Sequence, residues 1–169
     1  MKPYQWISIL LLFFLLPACM TMKTYQVDPS KENVAFIRAI GEFKNFKGEP
    51  ENEAFVIYKG AEDCSDRHEA VYDGDFVTVS AEKKFAATFH YIVGSPEVMY
   101  SSVFCPATIR FDVEANAHYI VKLEATRRGC VATVYLLQGD DEPPIRVSNI
   151  DKPKWKRGFS DKTSWCTNS

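Results

Sequence analysis

The 169-residue sequence has little net charge, because 20 Lys and Arg residues are balanced by 22 Asp and Glu residues, which gives −2 at neutral pH. Nucleic-acid binding normally needs an excess of positive charge that neutralises phosphates. The sequence therefore predicts no nucleic-acid partner, and the charge balance excludes no other class of partner.

Motifs that mark catalytic or metal sites are also missing. The chain has no Gly-x-Ser-x-Gly elbow, no His-Glu-x-x-His pair and no glycine-rich phosphate loop, and it has only three histidines. No cysteine pair has Cys-x-x-Cys spacing, and only His68 lies within four residues of a cysteine, Cys64. We expect no catalytic residue, no metal site and no cofactor. The alternative is a hydrolase that uses His68 with Asp66 or Glu69.

No apolar run is long enough to cross a bilayer, which takes roughly 20 residues. The most apolar stretch, Ile7 to Leu16, covers ten residues, follows Lys2 and ends at Leu16-Pro17-Ala18-Cys19. A cationic start, a short apolar run and a small residue before the cut are typical of a secretory signal peptide. We expect residues 1–18 to be removed.

Leu16 to Cys19 resembles the bacterial lipobox, in which the cysteine is acylated and becomes the first mature residue. The resemblance implies a small, β-rich Gram-negative lipoprotein that is anchored through fatty-acyl chains such as palmitate, because several chains make an anchor effectively permanent. Met20 and Thr21 stand where an inner-membrane retention signal would place Asp. The resemblance favours the periplasmic face of the outer membrane, with the cell surface or the inner membrane as alternatives.

If Cys19 carries lipid, four of the five cysteines remain, namely Cys64, Cys105, Cys130 and Cys166. An even number in an oxidising compartment predicts two disulfides. Four cysteines allow three pairings, and the sequence alone does not select one. We favour Cys64 with Cys105 and Cys130 with Cys166, because the polar C-terminal tail would otherwise have no covalent tie.

After the leader, the apolar pattern has period two and is rich in β-branched and aromatic residues, which predicts strands. We expect a flexible tether over residues 19–33, one β domain over 34–150 and a basic, aromatic, disulfide-tied tail over 151–169. The predicted strands are 34–40, 54–58, 75–80, 85–93, 108–113, 118–125, 130–137 and 145–148. Residues 41–53 predict a long polar loop.

The clearest predicted hairpin joins residues 108–113 to 118–125 across a four-residue turn. Seven or eight short strands of this kind predict an all-β antiparallel β-sandwich, immunoglobulin-like or transthyretin-like. A closed β-barrel is the alternative.

Two polar segments are candidate interaction sites: an acidic loop over residues 62–69 and the basic tail, which could contact an acidic protein or anionic lipid. The candidate residues are Asp63, Asp66, Arg67, His68 and Glu69 in the loop and Lys154, Trp155, Lys156 and Arg157 in the tail. The simpler interpretation is a solvated loop and a tail packed back on the sandwich.

A lipid anchor, a tether and a disulfide-bonded β domain without catalytic motifs predict a noncatalytic interaction or accessory module of the cell envelope, with a protein partner there. The alternative is a periplasmic inhibitor or immunity protein against an envelope-targeting hydrolase such as a lysozyme. In that case the acidic loop would enter the cationic cleft of the enzyme.

Overall fold

The computed structural model describes residues 23–30, 33–44, 50–52, 55–93, 103–126, 129–139, 142–156 and 165–167. The expected signal peptide, the lipobox with Cys19, and the candidate residue Arg157 lie outside these ranges. Regular structure within them consists of strands. No helix in the same ranges is long and apolar enough to span a membrane.

Eight of the strands in the described residues have four or more residues. The bounds are β1 Val34–Lys44, β2 Pro50–Asn52, β3 Phe55–Gly60, β4 Ser65–Glu69, β5 Val77–Ser80, β6 Phe85–Val93, β7 Val103–Phe111, β8 His118–Thr126, β9 Gly129–Leu137, β10 Ile145–Arg146, β11 Lys154–Lys156 and β12 Trp165–Thr167. The strand predicted for residues 85–93 has the predicted ends, and the other predicted strands are recovered with shifted ends.

The loop predicted for residues 41–53 is partly strand. β1 continues to Lys44, and β2 pairs back against it with Asn52 opposite Ile40. The polar composition of this segment concealed a strand because both β2 and the end of β1 lie at the border of the sheet, where polar side chains are tolerated.

The strands form two sheets that pack face to face. The first has the order β10-β9-β8-β1, with β2 and β5 both pairing along β1, and the second has the order β4-β3-β6-β7. β11 and β12 form a separate hairpin. Pairs are antiparallel except β1 with β8, which are parallel. The predicted β-sandwich is confirmed, and the described strands do not close into the alternative barrel.

The core between the sheets follows from the alternation of side chains along each strand. Ile37 and Val121 face inward from the first sheet, and Ile57, Phe89 and Ile109 face them from the second; each is at most 1% exposed. Every second residue of the long strands is therefore buried in the core. Functional groups must come from the edges of the sheets, the ends of the strands and the connections between strands.

The predicted hairpin between residues 108–113 and 118–125 is wrong. β7 pairs with β6 in the second sheet, whereas β8 pairs with β1 and β9 in the first. The connection is an arch from one sheet to the other. Alternation in the sequence shows that each strand has a buried face, but that face looks the same whether the next strand lies beside it or across the core.

Three contacts hold this arch in place. The Glu114 N–H donates to the Tyr119 hydroxyl at 3.0 Å, as in the tyrosine corner of immunoglobulin-like sandwiches. Asn116 adopts a positive φ of 61° and donates its N–H to the Val34 carbonyl at 2.7 Å, while the Phe36 N–H donates to the Ala117 carbonyl at 2.9 Å. Burial raises the pKa of Tyr119, which therefore remains a neutral hydroxyl.

The acidic segment is not a loop, because it forms a turn followed by β4, an edge strand of the second sheet. A Cβ at Gly60 would collide with the ends of the Ser65 and Asp63 side chains, so a larger residue there would force these side chains to move. Cys64 and Asp66 both have positive φ, at 57° and 51°. The projecting acidic loop that the inhibitor hypothesis requires is not formed by residues 61–69.

The N-terminal segment docks against β4. The Tyr25 N–H donates to the Glu69 carbonyl, and the Glu69 N–H donates to the Lys23 carbonyl, both at 2.8 Å. The Tyr25 hydroxyl accepts the Ser80 N–H at 3.3 Å and so reaches the first sheet. Part of the segment that was expected to be a flexible tether is thus bound to the sandwich.

The favoured disulfide pairing is wrong, because Cys64 bonds to Cys166 with their Cα atoms 5.3 Å apart. Cys105 lies opposite Tyr91 near the far end of β6, and β6 separates its strand from β3. Strands are about 4.8 Å apart, and a disulfide needs Cα atoms within roughly 7 Å, so Cys105 is out of reach of Cys64. Cys166 does hold the tail covalently, as expected, but its partner is Cys64 and not Cys130.

Candidate functional site

The C-terminal segment crosses the open side of the sandwich from β9 to β7. On the first sheet, the Val147 N–H donates to the Val134 carbonyl at 2.9 Å. On the second, Asp151 and Arg110 exchange both backbone hydrogen bonds, at 2.8 and 2.9 Å. The described part of the tail is therefore packed back on the sandwich, as the simpler interpretation expects.

Arg110 fastens this crossing with its side chain, which is 7% exposed. Its Nε donates to Asp151 Oδ2 at 3.2 Å, and its Nη1 donates to the Glu62 carbonyl at 2.8 Å and to Glu62 Oε2 at 3.2 Å. A guanidinium presents several donors in a rigid fork, so it can hold a turn and a tail together. Arg110 thus joins the tail to the turn that carries Cys64.

Pro153 stops the pairing between the tail and β7. The bridge between Arg110 and Asp151 is isolated and antiparallel, so the next two residues whose backbone groups would face each other are Thr108 and Pro153. Proline has no N–H to donate to the strand edge. The tail leaves the edge of β7 after Asp151 and forms a wall beside it instead.

The resulting cavity, which we call the basic groove, has a volume of about 470 Å³. Ala107, Ile109 and Ala132 belong to its apolar floor between β7 and β9. The wall contributes three cations, and these are Lys152, Lys154 and Lys156, all exposed. Residues two apart in an extended segment point to the same side, which is why these three lysines converge.

A second cavity of about 380 Å³ adjoins the basic groove and shares Ala132 and Lys152 with it. It adds Arg146, an exposed cation of β10. Among the described residues, no Asp or Glu lines either cavity. The two cavities therefore make one surface of positive charge in a protein whose total charge is slightly negative.

A larger depression of about 740 Å³ surrounds His118 at one end of the sandwich. The His118 ring stacks on Phe36 with centroids 4.5 Å apart and meets Phe76 edge-on at 5.1 Å. Glu114 and Glu142 share this lining with apolar and amide side chains. Its described lining contains no Lys or Arg, and we favour the basic groove as the binding site.

His68 is enclosed and does not face a cleft. Its side chain is 7% exposed, its Nδ1 lies 3.2 Å from the Thr24 carbonyl, and the Tyr25 ring covers it edge-on at 6.1 Å. Nε2 lies 3.1 Å from Asp66 Oδ1, but off the line of a good hydrogen bond. The N-terminal segment therefore covers this histidine.

The acidic candidates mainly stabilise the local fold. The His68 imidazole, which is the largest influence on Asp66, lowers the pKa of that carboxyl. The Ser65 hydroxyl lowers the pKa of Asp63, whose carbonyl also accepts the Cys166 N–H at 2.9 Å. Glu69 is exposed, and its backbone holds the N-terminal segment.

The structure brings together only some of the predicted site residues. Asp66 meets His68, and Lys154 and Lys156 line the basic groove, but Arg67 and Glu69 lie on β4, away from it. The side chain of Trp155 lies outside the described residues. Lys152 and Arg146 were not among the candidates, although the period-two spacing of Lys152, Lys154 and Lys156 is visible in the sequence.

The described residues contain no group of three or more His, Cys, Asp or Glu side chains that could hold a metal ion. No protein family, no curated protein and no solved structure matches this chain.

Proposed function

We propose that this protein is a noncatalytic lipoprotein of the cell envelope, anchored through Cys19, which binds a partner protein at the basic groove. The observation that carries the proposal is the convergence of Lys152, Lys154 and Lys156 over an apolar floor. Protein contact surfaces typically combine an apolar centre with a polar rim. Complementary charge adds association rate and specificity.

The docked N-terminal segment supports the anchored arrangement. Lys23, the first described residue, follows Cys19 by four residues, and an extended chain spans at most about 3.6 Å per residue. The lipid on Cys19 would therefore lie within about 14 Å of the body of the domain. A domain held so close has little freedom to turn, and its groove would be presented to partners in a restricted orientation.

The enclosure of His68 supports the noncatalytic character. A general base must come within hydrogen-bonding reach of its substrate, and the Thr24 and Tyr25 contacts fill that space. A hydrolase that depends on His68 would need this segment to leave β4.

Metabolic labelling with radioactive palmitate tests the anchor. The full chain should become labelled and should fractionate with the outer membrane, whereas Cys19→Ala should remain unlabelled. Label on the Cys19→Ala variant, or a wild-type chain that stays soluble, would reject this part of the proposal.

Photo-crosslinking in the intact envelope tests the binding surface. A photoreactive amino acid in place of Lys154 should trap a discrete protein adduct, and the same group in place of Lys83, an exposed lysine away from the groove, should not. Equal adducts at both positions, or none at Lys154, would show that the groove is not the contact surface.

A further inference from the structure

A small cavity of about 120 Å³ lies beside the docked N-terminal segment and shares no lining residue with the basic groove. Residues 25–27 form one side, β3 forms another near its end at Lys59, and the connection from β5 to β6 adds Lys83 and Lys84. This connection crosses from the first sheet to the second. The cavity, which we call the lysine pocket, therefore lies at an end of the sandwich.

The three lysines reach the lysine pocket because of where their elements end. Lys59 follows Ile57 by two residues and shares its side of β3, but Ile57 is buried in the core and Lys59 is exposed. The Lys59 ammonium lies 5.8 Å from the centre of the Tyr25 ring, within the range of cation–π attraction. Lys83 and Lys84 belong to the connection that precedes β6 at Phe85.

The charge of the lysine pocket is positive. Its described lining contains three lysines and no Asp or Glu. Glu62 lies outside the lining and approaches Lys84 at 4.0 Å, but the Arg110 guanidinium donates to the same carboxylate at the shorter distance of 3.2 Å. Glu62 therefore neutralises the pocket only in part.

Lys59 and Lys83 are the least neutralised of the three lysines. Asp66 is influenced by the charge of Lys59, but its carboxylate pairs with His68 at 3.1 Å. Among the described residues, no carboxylate comes within 4 Å of the Lys59 or Lys83 ammonium. The positive charge of these two lysines is therefore left for an anion from outside the domain.

The N-terminal segment that forms one side of the pocket is also the chain that leads to the anchor. Tyr25 follows Cys19 by six residues, and six residues span at most about 22 Å. Lipid on Cys19 would hold the pocket within this distance of the bilayer. Tyr25 and Val27 are half-buried, and tyrosine is common where a protein meets the surface of a bilayer.

We propose that the lysine pocket binds the phosphate of an anionic phospholipid in the membrane that carries the anchor. Ammonium groups form short, charge-assisted hydrogen bonds with phosphate oxygens, and cations near an anionic leaflet are attracted to it. The pocket is smaller than those that enclose whole ligands, which measure about 300–1,000 Å³. This size suits a headgroup phosphate whose acyl chains stay in the bilayer. The inference rests on the proposed function, since it needs the anchor on Cys19.

Acetylation of individual lysines, measured by mass spectrometry, tests the contact in the lipidated protein. The protein is placed in nanodiscs of phosphatidylcholine, either pure or mixed with phosphatidylglycerol. The anionic lipid should slow acetylation of Lys59 and Lys83 by at least about fivefold. Lys152 and Lys154, which are exposed on the basic groove, are the internal control and should keep their rates. Unchanged rates at Lys59 and Lys83 would overturn the inference.

Two double variants separate the pocket from general charge. In neutral detergent micelles, added phosphatidylglycerol should shift the NMR signal of the Ser80 amide, which lies in the lining, until the signal saturates. Lys59→Ser with Lys83→Ser should raise the concentration required by at least about tenfold, and Lys83→Ser alone should show part of this loss. Lys152→Ser with Lys154→Ser changes the net charge equally and should have no effect. An equal loss in both double variants would overturn the pocket.

Inorganic phosphate is the competing ligand. If it saturates the Ser80 shift as readily as phosphatidylglycerol does, the pocket is a site for soluble phosphate and the lipid assignment is overturned. If palmitate labels Cys19 and the envelope crosslink at Lys154 forms, but the pocket lysines are not protected, only the inference fails. If Cys19 carries no lipid, the proposed function fails and the inference fails with it.

Discussion

Arg110 shows how one side chain can hold distant parts of the chain together. It faces outward from β7, yet it is buried because the tail and the turn at Glu62 close over it. Its partners Asp151 and Glu62 are largely exposed, at 58% and 77%. Water can therefore solvate the two carboxylates if the cation is removed, which limits the loss of folding stability.

We expect Arg110→Ala to lower the free energy of unfolding by about 2 kcal/mol, because hydrogen bonds to a charged group contribute about 1.5–3 kcal/mol. Urea unfolding measures this. The control Arg146→Ala alters an exposed arginine and should change stability by no more than about 0.5 kcal/mol. Equal stability of Arg110→Ala and the native chain would contradict the role given to Arg110.

Asp66 links stability to pH. The His68 imidazole lowers the pKa of Asp66 from its ordinary value of 3.8. A carboxyl with a lower pKa in the folded state contributes stability above the unfolded value, and this contribution disappears as pH falls through the folded value. The effect therefore lies below about pH 4.

We expect Asp66→Asn to reduce the loss of thermal stability between pH 5 and pH 2, because the variant has no carboxyl to protonate. Thermal unfolding at a series of pH values measures this. In parallel, an NMR titration of the Asp66 carboxyl should show a higher pKa in His68→Asn than in the native chain. An identical pH dependence for Asp66→Asn and the native protein would refute the link.

At the scale of elements, the arch between β7 and β8 decides the topology. It places the two strands in different sheets, and this allows β8 to lie parallel to β1 with Phe36 opposite His118. The arch needs a residue at position 116 that accepts a positive φ. Asparagine accepts this conformation better than most residues, and glycine accepts it without steric cost.

We expect Asn116→Ala to destabilise the protein by about 1 kcal/mol through the left-handed conformation. Asn116→Gly should have a smaller effect, because glycine has no Cβ. Chemical unfolding of both variants measures the difference. Alanine as stable as glycine at this position would show that the arch is not conformationally restrictive.

At the scale of the whole molecule, Cys64–Cys166 connects the turn before β4 to the chain terminus across 102 residues of sequence. Long loops lose the most conformational entropy when they are closed. Cys64 is 1% exposed and packs with Val56 and Tyr58 on the outer face of the second sheet. The bridge therefore secures the tail that forms the wall of the basic groove.

We expect the double variant Cys64→Ser with Cys166→Ser to keep its β-sheet circular dichroism but to lose about 2–4 kcal/mol of stability, as is typical for a native disulfide. Trypsin should cleave after Lys154 and Lys156 sooner than in the native chain. Unaltered cleavage would mean that Arg110 alone is enough to secure the tail.

The disulfide partner of Cys130 can also be tested by experiment. Cys130 is disulfide-bonded, and with Cys64 and Cys166 paired, only Cys19 and Cys105 remain as partners. Cys105 directly precedes Pro106, which lines the same cavity as Cys130, although its side chain lies outside the described residues. We expect peptide mapping without reduction to recover Cys105 joined to Cys130. A peptide that joins Cys19 to Cys130 would refute both this pairing and the lipid anchor.

Part of the candidate site could be predicted from the sequence. The composition of the tail predicts a basic surface, and Lys154 and Lys156 do line the groove. The prediction of an acidic loop is wrong because the polar composition around Asp63, Asp66 and Glu69 is also typical of a solvated loop. Asp63 lies in a tight turn, and Asp66 and Glu69 belong to β4, whose strand character depends on pairing with β3 and on the N-terminal segment, neither of which leaves a local signal.

The sequence by itself determined the approximate positions of the longer strands other than β4 and the β-sandwich class, because period-two alternation is a local property that requires one buried face on each strand. Tertiary structure alone decided which strands pair, which cysteines bond and where the tail crosses. These depend on contacts between residues far apart in sequence, such as Arg110 with Asp151 at a separation of 41. A strand has the same pattern whether its neighbour lies beside it or across the core, so the basic groove exists only once both sheets and the tail have come together.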